Sequence, residues 1–217
     1  MRINKFVAQA SGLSRRAADA AISASRITIN ERRAEVGDTV SSSDIVTLDG
    51  KLLGLPERPL TILLNKPTGY VCSRNGQGSL TVYDLLPYEF QELKPVGRLD
   101  KDSSGLLLLT NDGELANMLT HPRYHKLKKY EIRLDRPLAQ ADSERIKAGV
   151  HLDDYISHLT IESQADNRIR INMSEGKNRQ IRYTFEALGY RVVQLHRSTF
   201  GDFSLGSLSA GQYRFVE

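Results

Sequence analysis

Tryptophan is absent from this 217-residue sequence, and cysteine occurs once, as Cys72. A single thiol excludes an intrachain disulfide and leaves no zinc site of the cysteine-rich kind. The five histidines are His121, His125, His151, His158 and His196. No run approaches the ~18 apolar residues of a membrane span, and the N-terminus lacks the apolar core of a signal peptide. The chain reads as soluble and cytoplasmic, with no membrane partner.

What is present is a core-forming composition with a mild basic excess. Hydrophobic residues make up 40% of the chain, enough for a real core. Lys and Arg number 30 against 26 Asp and Glu, a formal charge of +4 that suits an anionic partner without demanding one. Residues 53–59, LGLPERP, combine Gly54, Pro56 and Pro59, which favour an extended connector. The boundary divides a small domain, 1–55, from a larger one, 60–217.

In the small domain, Ile3, Phe6, Val7 and Ala10 fall on one helical face, and Gly12 ends that helix. Ser14 is placed to cap a second helix with Ala17, Ala21 and Ile22 as apolar positions. RITIN and DIVTLDG read as short strands. Residues 1–33 hold seven basic groups, Arg15 and Arg16 among them, against two acidic ones; residues 34–58 reverse the balance with two against five. A basic helical surface beside a small β platform suits a phosphate backbone, since cations there release counterions. The same pattern also describes an ordinary solvated helix.

The larger domain mixes strands (LTILLNKP, GLLLLTNDG, KYEIRL, HLTIES, RIRINM) with helices (ELANMLTH, SERIKAG, NRQIRYTFEALG) and has no βαβ repeat. This is α+β, with a mixed, mostly antiparallel sheet flanked by helices. Within it, GRLDKDSSGLLLLTNDG sets Arg98 and Asp100 ahead of a Ser103-Ser104-Gly105 turn that feeds an apolar strand. That arrangement presents a carboxylate at the mouth of a rigid element, although an aspartate there also caps local backbone. Asp102 is its rival, and the two could be read as a glycosidase acid–base pair. In residues 174–197 five basic groups oppose two acidic ones, with Arg179, Arg182, Tyr183 and Glu186 on the polar side of a helix. Lys126, Lys128 and Lys129 precede Tyr130, a ring able to stack on an unstacked base while the cations hold phosphates.

In order, LLNKPTGYVCS, GRLDKDSSGLLLLTNDG, KKYEIRL, EGKNRQIR and LHRSTFG resemble the diagnostic segments of the pseudouridine synthase family, in its ribosomal RNA branch. Residues 1–50, with RINKFVAQASGLSRRAADAAI followed by RITINERRAEVGDTV, resemble the RNA-binding domain named after ribosomal protein S-four. The resemblance implies isomerisation of a specific uridine in ribosomal RNA: the glycosidic bond breaks, the uracil rotates, and carbon 5 joins the anomeric carbon. No cofactor or metal is implied, because no atoms are gained.

By the same resemblance, Asp100 is the catalytic carboxylate, acting on the sugar or on the base. Tyr130 stacks on the uracil and assists proton removal. Arg182 pairs with the aspartate and favours its ionised form. Arg98 and Leu195 shape the pocket. Asn65, Lys66, Lys177 and Arg179 contact the RNA backbone, as do Arg15 and Arg16 from the small domain. The implied partner is ribosomal RNA, free or in an assembly intermediate, met by a monomer. Asn4, Ser103-Ser104 and Tyr183 depart from the usual family pattern, and EGKNRQIR leans towards the large-subunit branches. One alternative is an inactive ribosome-associated RNA-binding protein, which need not keep Asp100, Tyr130 and Arg182 together. A glycosidase using Asp100 and Asp102 would leave the small domain unexplained and, without tryptophan, would lack its aromatic sugar platforms.

Overall fold

The computed structural model describes residues 1–55 and 59–216, which form two compact units. Pro56, Glu57 and Arg58, the centre of the expected connector, lie outside the described residues.

The first unit holds helices α1 (Ile3–Ser11) and α2 (Arg15–Ser23) and a four-stranded sheet. Its strands are β1 (Ile27–Ile29), β2 (Arg32–Arg33), β3 (Val46–Leu48) and β4 (Lys51–Leu52), in the spatial order β2-β1-β3-β4. Gly12 ends α1 with φ 75°, a left-handed conformation that glycine adopts without steric cost. Ser14 caps α2, its side chain accepting from Ala17 N–H. Ile3, Phe6 and Val7 are buried with Ala21, Ile22, Ile27 and Val46 in one cluster, and Ala10 packs half-buried against it. On α2, Ala18 takes the buried place expected of Ala17.

The second unit is built on a nine-stranded sheet. Its strands are β5 (Thr61–Lys66), β6 (Lys94–Val96), β7 (Ser104–Thr110), β8 (Lys128–Leu134), β11 (Thr160–Ala165), β12 (Arg168–Met173), β13 (Val192–Phe200), β14 (Phe203–Ser204) and β15 (Tyr213–Phe215). The main order is β11-β12-β8-β13-β7-β5-β15, with β14 on β13 and β6 on β7. The β13–β7 pairing is parallel; β11–β12, β12–β8, β8–β13 and β5–β15 are antiparallel. A separate hairpin, β9 (Val150–Leu152) with β10 (Tyr155–Ser157), completes the strands, and the helices are α3 (Gly113–Thr120), α4 (Gln140–Ala148) and α5 (Gln180–Ala187). The sheet is mixed and mostly antiparallel, as the residue pattern implies.

Burial follows position in this sheet. All six residues of β5 and six of the seven in β7 are buried, so these strands read as apolar runs covered on both faces. Strands β8 and β12 alternate buried and exposed, the mark of half-covered strands. Gly105, at φ 108°, lies in register with Arg197 of β13, and a Cβ there would fall 2.2 Å from the Arg197 carbonyl oxygen. Only glycine lets β7 approach β13 closely enough to set the preceding turn, and with it Asp100, beside the middle of the sheet.

Candidate active site

The turn carrying Asp100 is stapled from beneath. Lys66, with no solvent exposure, ends β5 and donates from Nζ to the carbonyls of Pro67 (3.1 Å), Asp100 (2.9 Å) and Ser103 (2.7 Å). Burial depresses its basicity, and the nearby charges of Asp100 and Asp102 work the other way. Cys72 grips the neighbouring residue, its sulfur accepting from Leu99 N–H and donating to Leu99 O, both at 3.4 Å. Burial pushes this thiol up, so it stays protonated and structural. A backbone bond from Ser103 N–H to Asp100 O closes the turn.

Above the turn opens a cleft of about 740 Å³, lined by Asp100, Arg98, Tyr130, Leu195, Lys177 and Arg179 among others. Its floor is one face of the sheet. Tyr130 of β8 sits opposite Arg197 of β13, while Lys128 and Leu195, each two residues away along its strand, point to the same side. A bulge after Arg197 brings Phe200 opposite Lys128, and both cations approach its ring, Arg197 Cζ at 4.9 Å and Lys128 Nζ at 5.2 Å from the centroid. Burial and the Arg197 charge bring the Lys128 ammonium down to about 8.

The rim is set by α5. Arg179, its N-cap residue, has φ 48°, and this left-handed kink turns its side chain back over the Asp100–Asp102 turn. Its guanidinium makes a forked pair of hydrogen bonds to Asp102, both 3.2 Å, and lies 3.7 Å from Asp100 Oδ2. One turn later Arg182 donates to Val192 O and Asp102 O, each at 2.9 Å, and sets Nε 3.2 Å from Asp102 Oδ2. That last contact is an ion pair without hydrogen-bond alignment. Burial opposes ionisation of Asp102, but the Arg179 hydrogen bonds and the Arg182 charge outweigh it and hold the carboxyl below its usual range.

Asp100, the Arg179 guanidinium and Tyr130 thus share one cleft. Comparison with known proteins identifies the family. Residues 60–187 match the RNA pseudouridylate synthase family and residues 1–46 the S4 domain family. The ribosomal small subunit pseudouridine synthase A of Salmonella typhimurium is 35% identical, the match covering 99% of this chain and 95% of that protein. The Yersinia pestis protein of the same name is 37% identical, with 99% and 94% covered. A crystal structure of a pseudouridylate synthase, 34% identical, superposes with a TM-score of 0.73 over 100% of this chain and 96% of that one. The chain belongs to the pseudouridine synthase family. An uncharacterized RNA pseudouridine synthase of Aquifex aeolicus is 38% identical over 99% of the chain. The Salmonella and Yersinia relatives carry the small-subunit name, whereas EGKNRQIR leans towards the large-subunit branches.

Two expectations about the synthase's side chains change. Arg182 does not form the pair with Asp100: its half-buried side chain is held by Val192 O and by Asp102, and Arg179 is the arginine that reaches Asp100. Asn65 and Lys66 are not on an RNA-facing surface. Both are buried, because β5 is covered on both faces; Asn65 Nδ2 donates to Leu208 O, and Lys66 serves the Asp100 turn.

The three lysines ahead of Tyr130 also have internal partners: Lys126 with Asp202, Lys129 with Glu162, and Lys128 with the carbonyls of Ser174 and Glu175. Arg98, Lys177 and Leu195 line the cleft. Arg15 and Arg16 are exposed at the start of α2 in the first unit, where Arg15 donates to Asn4 Oδ1. Residue patterns did not single out Lys128 as the support of the 174–175 backbone, nor Asp102 as the shared anchor of two arginines. The signal for Asp102 was the three-residue spacing of Arg179 and Arg182, which puts both cations on one side of a helix.

Proposed function

We propose that the synthase converts one uridine of small-subunit ribosomal RNA to pseudouridine, with Asp100 as its catalytic carboxylate. The observation that carries this reading is the position of Asp100: half-buried at the mouth of the cleft, 3.7 Å from the Arg179 guanidinium, with Tyr130 and Leu195 lining the same space. The full-length likeness to small-subunit synthases supports the substrate.

In this reading the target nucleotide leaves its stack to enter the cleft, at a cost of roughly a few kcal/mol. Stacking on Tyr130 offsets ~1–3 kcal/mol of that. Asp100 then acts on the anomeric carbon or on the base while the C1′–N1 bond breaks, and either route requires the carboxylate charged. The uracil turns, C5 bonds to C1′, the proton on C5 departs with help from Tyr130, and N1, freed from C1′, takes up a proton, so that product and substrate have the same atoms. Arg179 stabilises the negative charge of Asp100 directly. Arg182 acts one step back, fixing Asp102 and so the turn. Arg98 and Lys177 meet the RNA backbone at the rim, and the exposed Arg15 and Arg16 of the first unit add affinity that positions substrate without entering the chemistry. The protein works as a monomer in the cytoplasm, meeting ribosomal RNA free or in an assembly intermediate.

Chemical mapping of pseudouridines in ribosomal RNA from a strain lacking this protein tests the reading. The expected result is one missing modification, in small-subunit RNA. An unchanged map, or a loss confined to large-subunit RNA, refutes it.

A further inference from the structure

We propose that Tyr183 is the stacking platform for a nucleotide flanking the target uridine, with Lys177 holding the phosphate beside it. Tyr183 lies on α5 among buried neighbours, Ile181, Thr184 and Phe185, yet is itself 43% exposed. Among the described residues no other ring stacks on it and no cation covers it. Its backbone N–H bonds to the Arg179 carbonyl at 3.0 Å, so Tyr183 stands in the first turn of the helix that begins at the arginine reaching Asp100.

Beside it, Tyr155 of β10 carries the Lys177 ammonium 3.6 Å above its ring, and Lys177 lines the cleft. Helix α5 packs on the hairpin that carries Tyr155: Gln180 Nε2 and Thr184 Oγ1, the residues on either side of the Tyr183 turn, both donate to Ser157 Oγ of β10, at 3.2 and 2.7 Å. Two cations, Arg179 and Lys177, and two rings, Tyr155 and Tyr183, are thus gathered around the start of α5 and the hairpin packed on it. Rings that bases can stack on, interleaved with cations that follow a backbone, are how proteins hold single-stranded nucleic acid. Tyr183 is absent from the lining of the cleft itself, so the base it takes is a neighbour of the extruded uridine. The Lys177–Tyr155 contact fixes one cation in advance, which reduces the ordering cost on binding.

The assignment rests on the cleft being the uridine site, and its test separates the two. The substrate is a short fragment of small-subunit ribosomal RNA spanning the mapped uridine, and wild-type turnover on it reports on the cleft alone. Tyr183→Ala is expected to raise KM about 5- to 10-fold, the low end of a base–aromatic stack, with the saturated single-turnover rate and the salt dependence of binding kept. Tyr183→Phe, which retains the ring, restores the wild-type KM. Lys177→Ala instead lowers the slope of log affinity against log salt by about 0.7. With abasic nucleotides on both sides of the uridine, Tyr183→Ala and wild type converge. An unchanged KM in Tyr183→Ala, or a deficit that persists on the abasic fragment, overturns the assignment.

Discussion

Replacing Lys66 by Met separates a structural lysine from an RNA contact. The substitution keeps an unbranched apolar side chain one atom shorter and removes three donors. The Asp100 carbonyl keeps its bond from Ser103 N–H, whereas the Pro67 and Ser103 carbonyls lose a charge-assisted partner. A buried acceptor left without its donor costs ~1–3 kcal/mol. Part of that is offset because the buried ammonium is itself disfavoured by burial. The net expectation is about 2–4 kcal/mol lost from the second unit, seen as a fall of about 4–16 °C in its thermal midpoint for a chain of this size. Since the turn bearing Asp100 is what loosens, single-turnover isomerisation slows at least tenfold at temperatures where the variant remains folded. The salt dependence of RNA affinity stays as in wild type. A stable, fully active Lys66→Met would refute the reasoning. So would a salt slope lowered by about one, the signature of a lost phosphate contact.

Further outcomes follow from the same geometry. Arg179→Gln removes the guanidinium nearest Asp100 and should lower the single-turnover rate about 10²-fold or more, while Arg182→Gln acts mainly through stability; equal rate losses at matched folding would contradict the division of roles. For Lys128, the folded value of about 8 lies below the ordinary 10.5, so between these pH values the unfolded chain holds the extra proton and stability rises with pH. Lys128→Met should flatten that part of the stability–pH curve measured by denaturant unfolding, and an unaltered curve would show that the ammonium is not held as described. Replacing Arg15 and Arg16 by Gln should lower the salt slope of RNA binding by about 1.4–1.8 with kcat unchanged; an unchanged slope would remove the α2 start from the RNA surface.

Strong periodicity made much of the fold legible. The stripe on α1, the Ser14 cap, the apolar runs of β5 and β7 and the alternation of β8 and β12 each report a local choice that the tertiary structure keeps. Strand β13, nine residues at the heart of the sheet, escaped a strand reading because its burial follows no clean alternation: a bulge after Arg197 breaks the period. Strands of two or three residues, such as β2 and β15, are too short to carry a pattern. In the site, residue identities pointed to the right region, but pairings depended on backbone geometry. Arg179 rather than Arg182 meets Asp100 because of one left-handed residue at the start of α5, which no spacing rule encodes. Asn65 and Lys66 looked like surface groups after an apolar run and proved to be interior, since a strand covered on both faces has no outward side.

The most direct test of the central claim is Asp100→Asn, a change of charge with almost no change of shape. Single-turnover conversion of the small-subunit fragment should fall below detection, with RNA affinity within a few-fold of wild type. Conversion at the wild-type rate would show that the carboxylate of Asp100 is not what drives the isomerisation.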